Sequence, residues 1–436
     1  MNTNSAPTVA VVGAGIVGLS VALELQRSGY SVTVLDRDEP MAGCSAGNAG
    51  YLSEANIFQP AAPDMLMQLP KLLLSDDGPL VIAPTYAPRM VPWGCHALAA
   101  VGKGTREAIT DTLAGMTVQA YAAMQDLART AGASHLLSRD GGLVAFKTQK
   151  ALDQKCLSLP VWGRYGIAVQ RLSAADIRAL EPALAADLVG GLLFENSGRC
   201  SDPRRLGLLY AEHLQRNGAT LMRGKVQAVV ATEDGRAAVH VSGDVMRFHE
   251  VVVCAGFWSG KLLQPYVPAI PLASERGYHL MLPNPGLVLK RPVVFGEPHF
   301  AATPMDEGLR LAGTAEYAAA DAAPNFERAT MLLRLAQGYL GPLNADAATP
   351  WMGVRPSLPD GLPAVGTVDG CPSIHYAFGH AHNGLTLSAV TAKCVAAQVR
   401  GDAPSFDASP LDLSRFARGW SRLTSPRMTS AQHSAQ

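Results

Sequence analysis

The first apolar pattern along the chain is an unbroken run, Val9-Ala10-Val11-Val12. Apolar residues without alternation predict a strand buried on both faces. From Gly15 to Ser28 the spacing changes to three and four residues, with Leu19, Ala22 and Leu23 on one stripe, and Gly29 supplies a helix stop. Ser31 to Leu35 reads as a second buried strand. Residues 60 to 92 then carry seven prolines among Leu and Met, so irregular chain covering a core or a cleft is expected there. Arg106 to Ala131 returns to helical spacing through Ile109, Leu113, Met116, Ala120, Met124 and Leu127.

The middle of the chain alternates strands and helices. A strand is expected over Gly142 to Lys147, a helical piece from Ser173 and another strand over Gly191 to Glu195. After a turn at Gly198 to Pro203, Asp202 stands as an N-cap ahead of Pro203 for a helix running to Asn217-Gly218. Lys225 to Val230, an Asp234-Gly235 turn and Val239 to Val241 read as a hairpin. Glu250 to Val253 is a further buried strand and ends in Cys254-Ala255-Gly256. Short strands are expected over 271 to 311 and a helix around 329 to 340. Apolar Ile374 to Phe378 then runs through Gly379-His380-Ala381-His382-Asn383-Gly384 into a helix from Leu385 to Val399.

Candidate chemistry starts at the first strand-to-helix turn, Gly13-Ala14-Gly15-Ile16-Val17-Gly18. In the GxGxxG spacing the first glycine allows a tight turn and the second lets the backbone approach a pyrophosphate. The third packs the helix on the strand. The helix start offers free N–H groups to the diphosphate. Asp36 follows about twenty residues on, where a carboxylate holds ribose hydroxyls. It argues against a 2′-phosphate, an option that Arg37 keeps open, and this stretch alone fits FAD and NAD equally. The turn at 379 to 384 makes a second helix start available to a cofactor.

Composition narrows the picture. The 436 residues suit two domains, and 48% hydrophobic against 17% charged residues indicates a well-buried globular chain. Zero formal net charge with no basic cluster speaks against nucleic acid. Seven scattered cysteines without a CxxC pair fit free thiols and neither a disulfide framework nor a zinc site. With no signal peptide or membrane span legible, the chain is expected in the cytoplasm. The Lys71- and Arg89-bearing stretch at 60 to 92 leaves contact with the inner face of a membrane open.

The order of blocks resembles the FAD-dependent D-amino-acid oxidase superfamily, with bacterial D-amino-acid dehydrogenases and glycine or D-hydroxyproline oxidoreductases nearest. The blocks are GAGIVG with Asp36, CSAGNAG at 44 to 50, the strand at 225 to 230 and VVVCAGFWS. ERGYH at 275 to 279, WMGVRPSLPDGLPAVG and GHAHNGLTLSAVTAK complete them. The resemblance implies an α/β fold: a discontinuous Rossmann-like FAD-binding domain (1–58, 172–266, 351–425) with a sheet-rich α+β substrate domain (59–171, 267–350). The tail 426–436 is expected to be disordered.

By the same resemblance FAD is bound noncovalently. Gly13, Ala14, Gly15, Ile16, Val17 and Gly18 hold its pyrophosphate, with Asp36 and Arg37 at the adenosine ribose. Cys44, Ser45, Asn48, Ala49 and Gly50 line pyrophosphate and flavin, Val226 touches adenine, and Ala255, Gly256 and Trp258 pack on the cofactor. Gly379, His380, Gly384, Leu385 and Thr386 lie at the pyrimidine side of the flavin. Arg355 takes the substrate carboxylate, a rigid guanidinium fork being matched to that group. Tyr278 and His382 are the other catalytic candidates, with Arg276 and His279 contributed to the cleft beside Tyr278. His382 stands where glycine oxidases carry a second arginine, which disfavours glycine and sarcosine. His380 and His382 lack a third ligand, so no metal is expected.

The implied reaction is oxidative deamination of a D-amino acid by hydride transfer from Cα to flavin N5. Cyclic or secondary amino acids such as D-proline or D-hydroxyproline form the alternative. Oxygen or a respiratory quinone is the electron acceptor, and oligomeric state stays open. Two other classes also stay open: an NAD-linked dehydrogenase and a flavin-binding subunit inert without a partner.

Overall fold

The computed structural model describes residues 6–59 and 78–418; much of the proline-rich stretch and the expected disordered tail lie outside the described residues. Its first sheet has six strands in the order Thr220–Arg223, Ser31–Asp36, Thr8–Val12, Glu250–Val253, Cys371–Phe378, Ala364–Val368. The first five run parallel and the last is antiparallel. Counted by position in the chain, the parallel strands stand 3-2-1-4-5, and the order reverses between Thr8–Val12 and Glu250–Val253. Ligands of such sheets bind at that reversal, beyond the strands' carboxyl ends.

Both sheet faces are covered, which explains the uninterrupted apolar runs. On one side Val9, Val11, Val32, Val34 and Val252 share a core with the helices Ile16–Arg27, Lys103–Thr130, Pro203–Arg216 and Gly384–Arg400. On the other, Ala10, Val12, Val251 and Val253 pack against a three-stranded meander over 226 to 248. Asp202 caps its helix as expected, accepting from the Arg205 N–H at 2.8 Å. Ser173 caps the helix Ala174–Leu180 in a reciprocal box with Asp176.

The second sheet has nine strands, eight of them in the order Thr349–Ser357, Ala273–Leu282, Gly308–Tyr317, Phe300–Met305, Val293–Phe295, Gly142–Phe146, Gly190–Phe194, Val169–Ser173. Leu80–Ile82 pairs alongside Gly308–Tyr317. One face packs on the helix Glu327–Leu340 through Leu332, Ala336 and Tyr339.

Strand pairing and packing depart from the expected division of the chain at three places. Val169–Ser173 and Gly190–Phe194 belong to the second sheet, so the boundary drawn at 172 moves to near residue 200. Thr349–Ser357 belongs there too, because it pairs along its whole length with Ala273–Leu282, and the return to the first domain falls after 357. The helix Lys103–Thr130, assigned by position to the substrate domain, packs its apolar stripe into the core of the first. Nor is 271–311 made only of short strands, since Ala273–Leu282 spans ten residues.

The first sheet is closed at its carboxyl-terminal end by a buried ion pair. The Arg415 Nε lies 2.7 Å from Asp360 Oδ2, with both side chains shielded from water. Arg415 also donates to the carbonyls of Leu411 and Leu362. Asp360→Ala leaves this guanidinium buried without its counter-charge. A loss of ~3–5 kcal/mol in unfolding free energy is expected, read from urea melts against wild type.

Candidate active site

At the first glycine turn the backbone leaves no room for side chains. A Cβ on Gly13, whose φ is +119°, falls 2.3 Å from the Cys254 carbonyl oxygen, and one on Gly18 falls 1.9 Å from the Gly13 carbonyl. The helix starting at Ile16 carries no side-chain cap on Gly15. The Ala14 N–H donates to Asp36 Oδ2 at 2.6 Å and the Ile16 N–H to Ser45 Oγ at 3.1 Å. Asp36 thus ties the turn to the next strand while each oxygen keeps a lone pair for a hydroxyl. Ala14, Ile16 and Val17 turn their side chains toward the core, leaving backbone for a ligand. Arg37 stacks its guanidinium over Trp258, 3.7 Å from the ring centre, and Val226, Ala255 and Gly256 lie half-buried beside the sheet's carboxyl ends.

The second turn is brought against the first by residues 44 to 56. Cys44 to Ala49 are half-buried, lining the space between the two helix starts. Gly50, at φ +68°, takes an N–H bond to Asn48 Oδ1 at 2.9 Å. Asn48 Nδ2 donates to the His382 carbonyl, Asn56 Nδ2 to Asn383 Oδ1, and Thr386 Oγ1 to the Tyr51 carbonyl. Gly379 has φ +81°, with Leu358 packed where a side chain would stand. The helix from Gly384 is likewise uncapped by any side chain. His380 and Leu385 are buried inward, so their side chains do not line the space. These cradles, which a Cβ would fill, and two helix starts whose N-cap residues Gly15 and Asn383 supply no cap of their own fit a dinucleotide carrying a ring system.

The second sheet faces this space with one side of two paired strands. Glu275, Gly277 and His279 stand directly opposite Arg355, Gly353 and Trp351. Cross-strand partners share a face, so these six form one surface. Arg355 Nη1 donates to Glu275 Oε1 at 2.9 Å and to the Thr314 carbonyl at 3.3 Å. Its Nε and Nη2 have no hydrogen-bond partner among the described residues and rest over Gly277, where a Cβ would sit 2.1 Å from Nη2. Thr314 is held at φ +63°, costly for a β-branched residue, at the irregularity where its strand slips register. That bend aims its carbonyl at Arg355.

Tyr278 and Arg276 do not join this surface. Alternation puts them on the far side, where Tyr278 donates a short hydrogen bond to Glu316 and receives the Asn325 N–H at 3.2 Å. Arg276 Nε lies 3.3 Å from the same Glu316. Tyr278, expected at the substrate, thus meets Glu316 on the far side with Arg276, while Glu275 of the same pentapeptide stands beside Arg355. Placing ERGYH on a strand paired with Arg355 shows why: positions two apart share a face.

Burial sets the protonation of the histidines. His279 stacks on Trp351 at 5.0 Å between ring centres and donates from Nδ1 to the Gly47 carbonyl. Burial first, then the charge of Arg310, pushes its pKa down to about 3. Arg310 itself spans the loop, donating to the carbonyls of Ala46 and Asn48. His380, bonded to Thr391, is likewise pushed to about 3 by burial. His382 is surrounded by protein yet open to the cleft, and packing lowers its pKa, with Glu275 opposing and Arg355 assisting. Among the described residues no cluster of three or more metal-ligating side chains exists. A surface depression of about 770 Å³ bordered by Arg129, Glu212, His213 and Arg216 contains none of these residues.

Depressed pKa values make the fold acid-sensitive. His279 and His380 stay neutral in the folded chain but charge when unfolded below pH ~6.5, so this part of the stability is complete above that value and falls toward pH ~3. His380→Gln removes one such group, and its stability should fall less steeply between pH 7.5 and 5, by up to ~1.4 kcal/mol per pH unit. Urea melts across that range check the slope.

Comparison with known proteins agrees with this geometry. The family model for FAD dependent oxidoreductases (DAO) matches residues 8–398. A D-amino-acid oxidase of Bradyrhizobium diazoefficiens is 34% identical over 415 residues, covering 94% of this chain and 98% of the relative. A D-amino acid dehydrogenase of Methylobacterium sp. is 30% identical, covering 94% and 99%. The crystal structure of glycine oxidase from Geobacillus kaustophilus superposes with a TM-score of 0.73 at 22% identity, covering 94% of this chain and 99% of that one. The chain therefore belongs to the DAO family of FAD-dependent oxidoreductases, enzymes that act on amino acids.

Proposed function

We propose that the protein oxidises a D-amino acid at Cα to the imino acid, which hydrolyses to a 2-oxo acid. The observation that carries this reading is the unpartnered Nε and Nη2 edge of Arg355, held over Gly277 and facing the space between the two glycine turns. A guanidinium with one nitrogen anchored and an edge free is preorganised for two parallel bonds to a carboxylate. Relatives of near-full coverage carry names that specify D-amino acids, which supports that configuration.

Bound noncovalently, FAD supplies the acceptor for the Cα hydride. The backbone cradles at Gly13–Gly18 and Gly379–Gly384 would hold it, with Asp36 at the ribose. Arg355 clamps the carboxylate, which limits the rotations of Cα and sets the direction of its hydrogen; positioning of this kind is worth several orders of magnitude. Ala49, Gly50 and Thr386 bound the space, and Trp351 with His279 closes it behind Gly47, whose missing side chain admits the indole ring. His382 borders the cleft, and the downward push on its pKa favours the neutral imidazole, a hydrogen-bonding group with one donor and one acceptor nitrogen.

The visible spectrum of purified protein, followed anaerobically through a panel of D-amino acids, D-proline and glycine, tests the reading. A flavin spectrum bleached by a D-amino acid is expected, and a colourless protein unable to take up FAD overturns it. Arg355→Leu should lower kcat/KM for carboxylate substrates ~10²–10³-fold with FAD still bound, the worth of two charge-assisted hydrogen bonds. Gly277→Ala should do the same more mildly, by pushing the guanidinium aside. Hydride leaves readily only beside a neutral amine, so activity should climb from pH 6 to roughly 10 as the ammonium loses its proton.

A further inference from the structure

We propose that Glu275 is a specificity-determining residue, accepting the α-ammonium of a zwitterionic amino acid docked on Arg355 and so selecting zwitterions over bare carboxylates and acidic side chains. The inference rests on the proposed function and deepens it. Glu275 Oε1 lies 2.9 Å from Arg355 Nη1, while Oε2 is held more loosely, 3.5 Å from the Tyr317 hydroxyl. The carboxylate therefore stands beside the guanidinium edge that the substrate would occupy. In an amino acid a single carbon separates the carboxylate from the amine, so a substrate clamped by that edge carries its nitrogen to the neighbouring acid.

Charge balance points the same way. The groups facing Glu275 are Arg355 on the paired strand, Tyr317 and the Thr314 carbonyl on the other neighbour, and His382 on the second glycine turn. Of these only Arg355 and Glu275 are charged, and they cancel. A carboxylate without an amine leaves a half-buried site with one uncompensated negative charge, which is costly where water is scarce. A zwitterion leaves it neutral in the binding complex, before the amine gives up the proton that hydride transfer requires. An acidic side chain adds a second negative group, and an acid at this position repels it.

Glu275 could also serve Arg355 alone, as a counter-charge that orients it, and binding to the reduced holoenzyme separates the two roles without turnover. Reduced anaerobically, wild type, Glu275→Gln and Glu275→Asp are titrated calorimetrically with D-proline and cyclopentanecarboxylate, and with D-leucine and 4-methylpentanoate. Each pair shares a skeleton and differs in the amine. Wild type and Glu275→Asp should favour the amino acid by about tenfold or more. Glu275→Gln should weaken the amino acid about tenfold and tighten the bare carboxylate, because Arg355 is released from its internal partner. A common loss for both members of a pair, or no change in either, overturns the inference and leaves Glu275 a support for Arg355. Arg355→Leu keeps the two readings apart. If it weakens both ligands while the Gln variant preserves their ratio, only the role of Glu275 falls. If wild type binds no ligand and Arg355→Leu matches it, the proposed function falls as well.

Discussion

The structure depends on the backbone crossing at Gly13. A side chain there would lie 2.3 Å from the Cys254 carbonyl, so the chain leaving the first strand can pass over the end of Glu250–Val253 only as glycine. That crossing starts the helix at Ile16 directly above the sheet's point of reversal. Gly18, 1.9 Å from the Gly13 carbonyl by the same test, keeps the helix close to the sheet. Everything that a dinucleotide needs at this end follows from the two close approaches. The N–H groups face outward, Asp36 anchors the turn, and Ser45 brings the loop 44–50 onto the helix start.

The second sheet is organised around a different constraint, the twofold alternation of a long strand buried on both sides. Ala273–Leu282 has no exposed residue, so alternation sorts its charged and aromatic polar side chains between two buried faces. Arg276 and Tyr278 meet Glu316 on one side, forming a group that ties the sheet to Ala323 and Asn325. Glu275 and His279 meet Arg355 and Trp351 on the other, toward the cofactor loop. A register slip of one residue would exchange these sets, and the pairing with Thr349–Ser357 prevents it.

Electrostatics in the site comes mostly from partners being absent. Burial, helped by the charge of Arg310, keeps His279 neutral, while burial alone does so for His380. Arg355 and Glu275 remain as a charged pair on the face turned toward the loop 44–50.

Much of the first domain was legible in the sequence. GAGIVG, Asp36, the Asp202-Pro203 helix start and the turn into Gly384–Arg400 are local signals, each set by short-range geometry that any chain with those residues must obey. The family likeness was legible too, because blocks such as GVRP and GHAHNG occur in order. What the sequence could not show was which strands of the middle chain join which sheet. Val169–Ser173, Gly190–Phe194 and Thr349–Ser357 read locally as strands, and only pairing across long separations assigned them to the second sheet. The choice between Tyr278 and Glu275 was of the same kind. Both sit in one pentapeptide, and the face that each presents is decided by hydrogen bonding to a strand some eighty residues away, a long-range contact that no local pattern encodes.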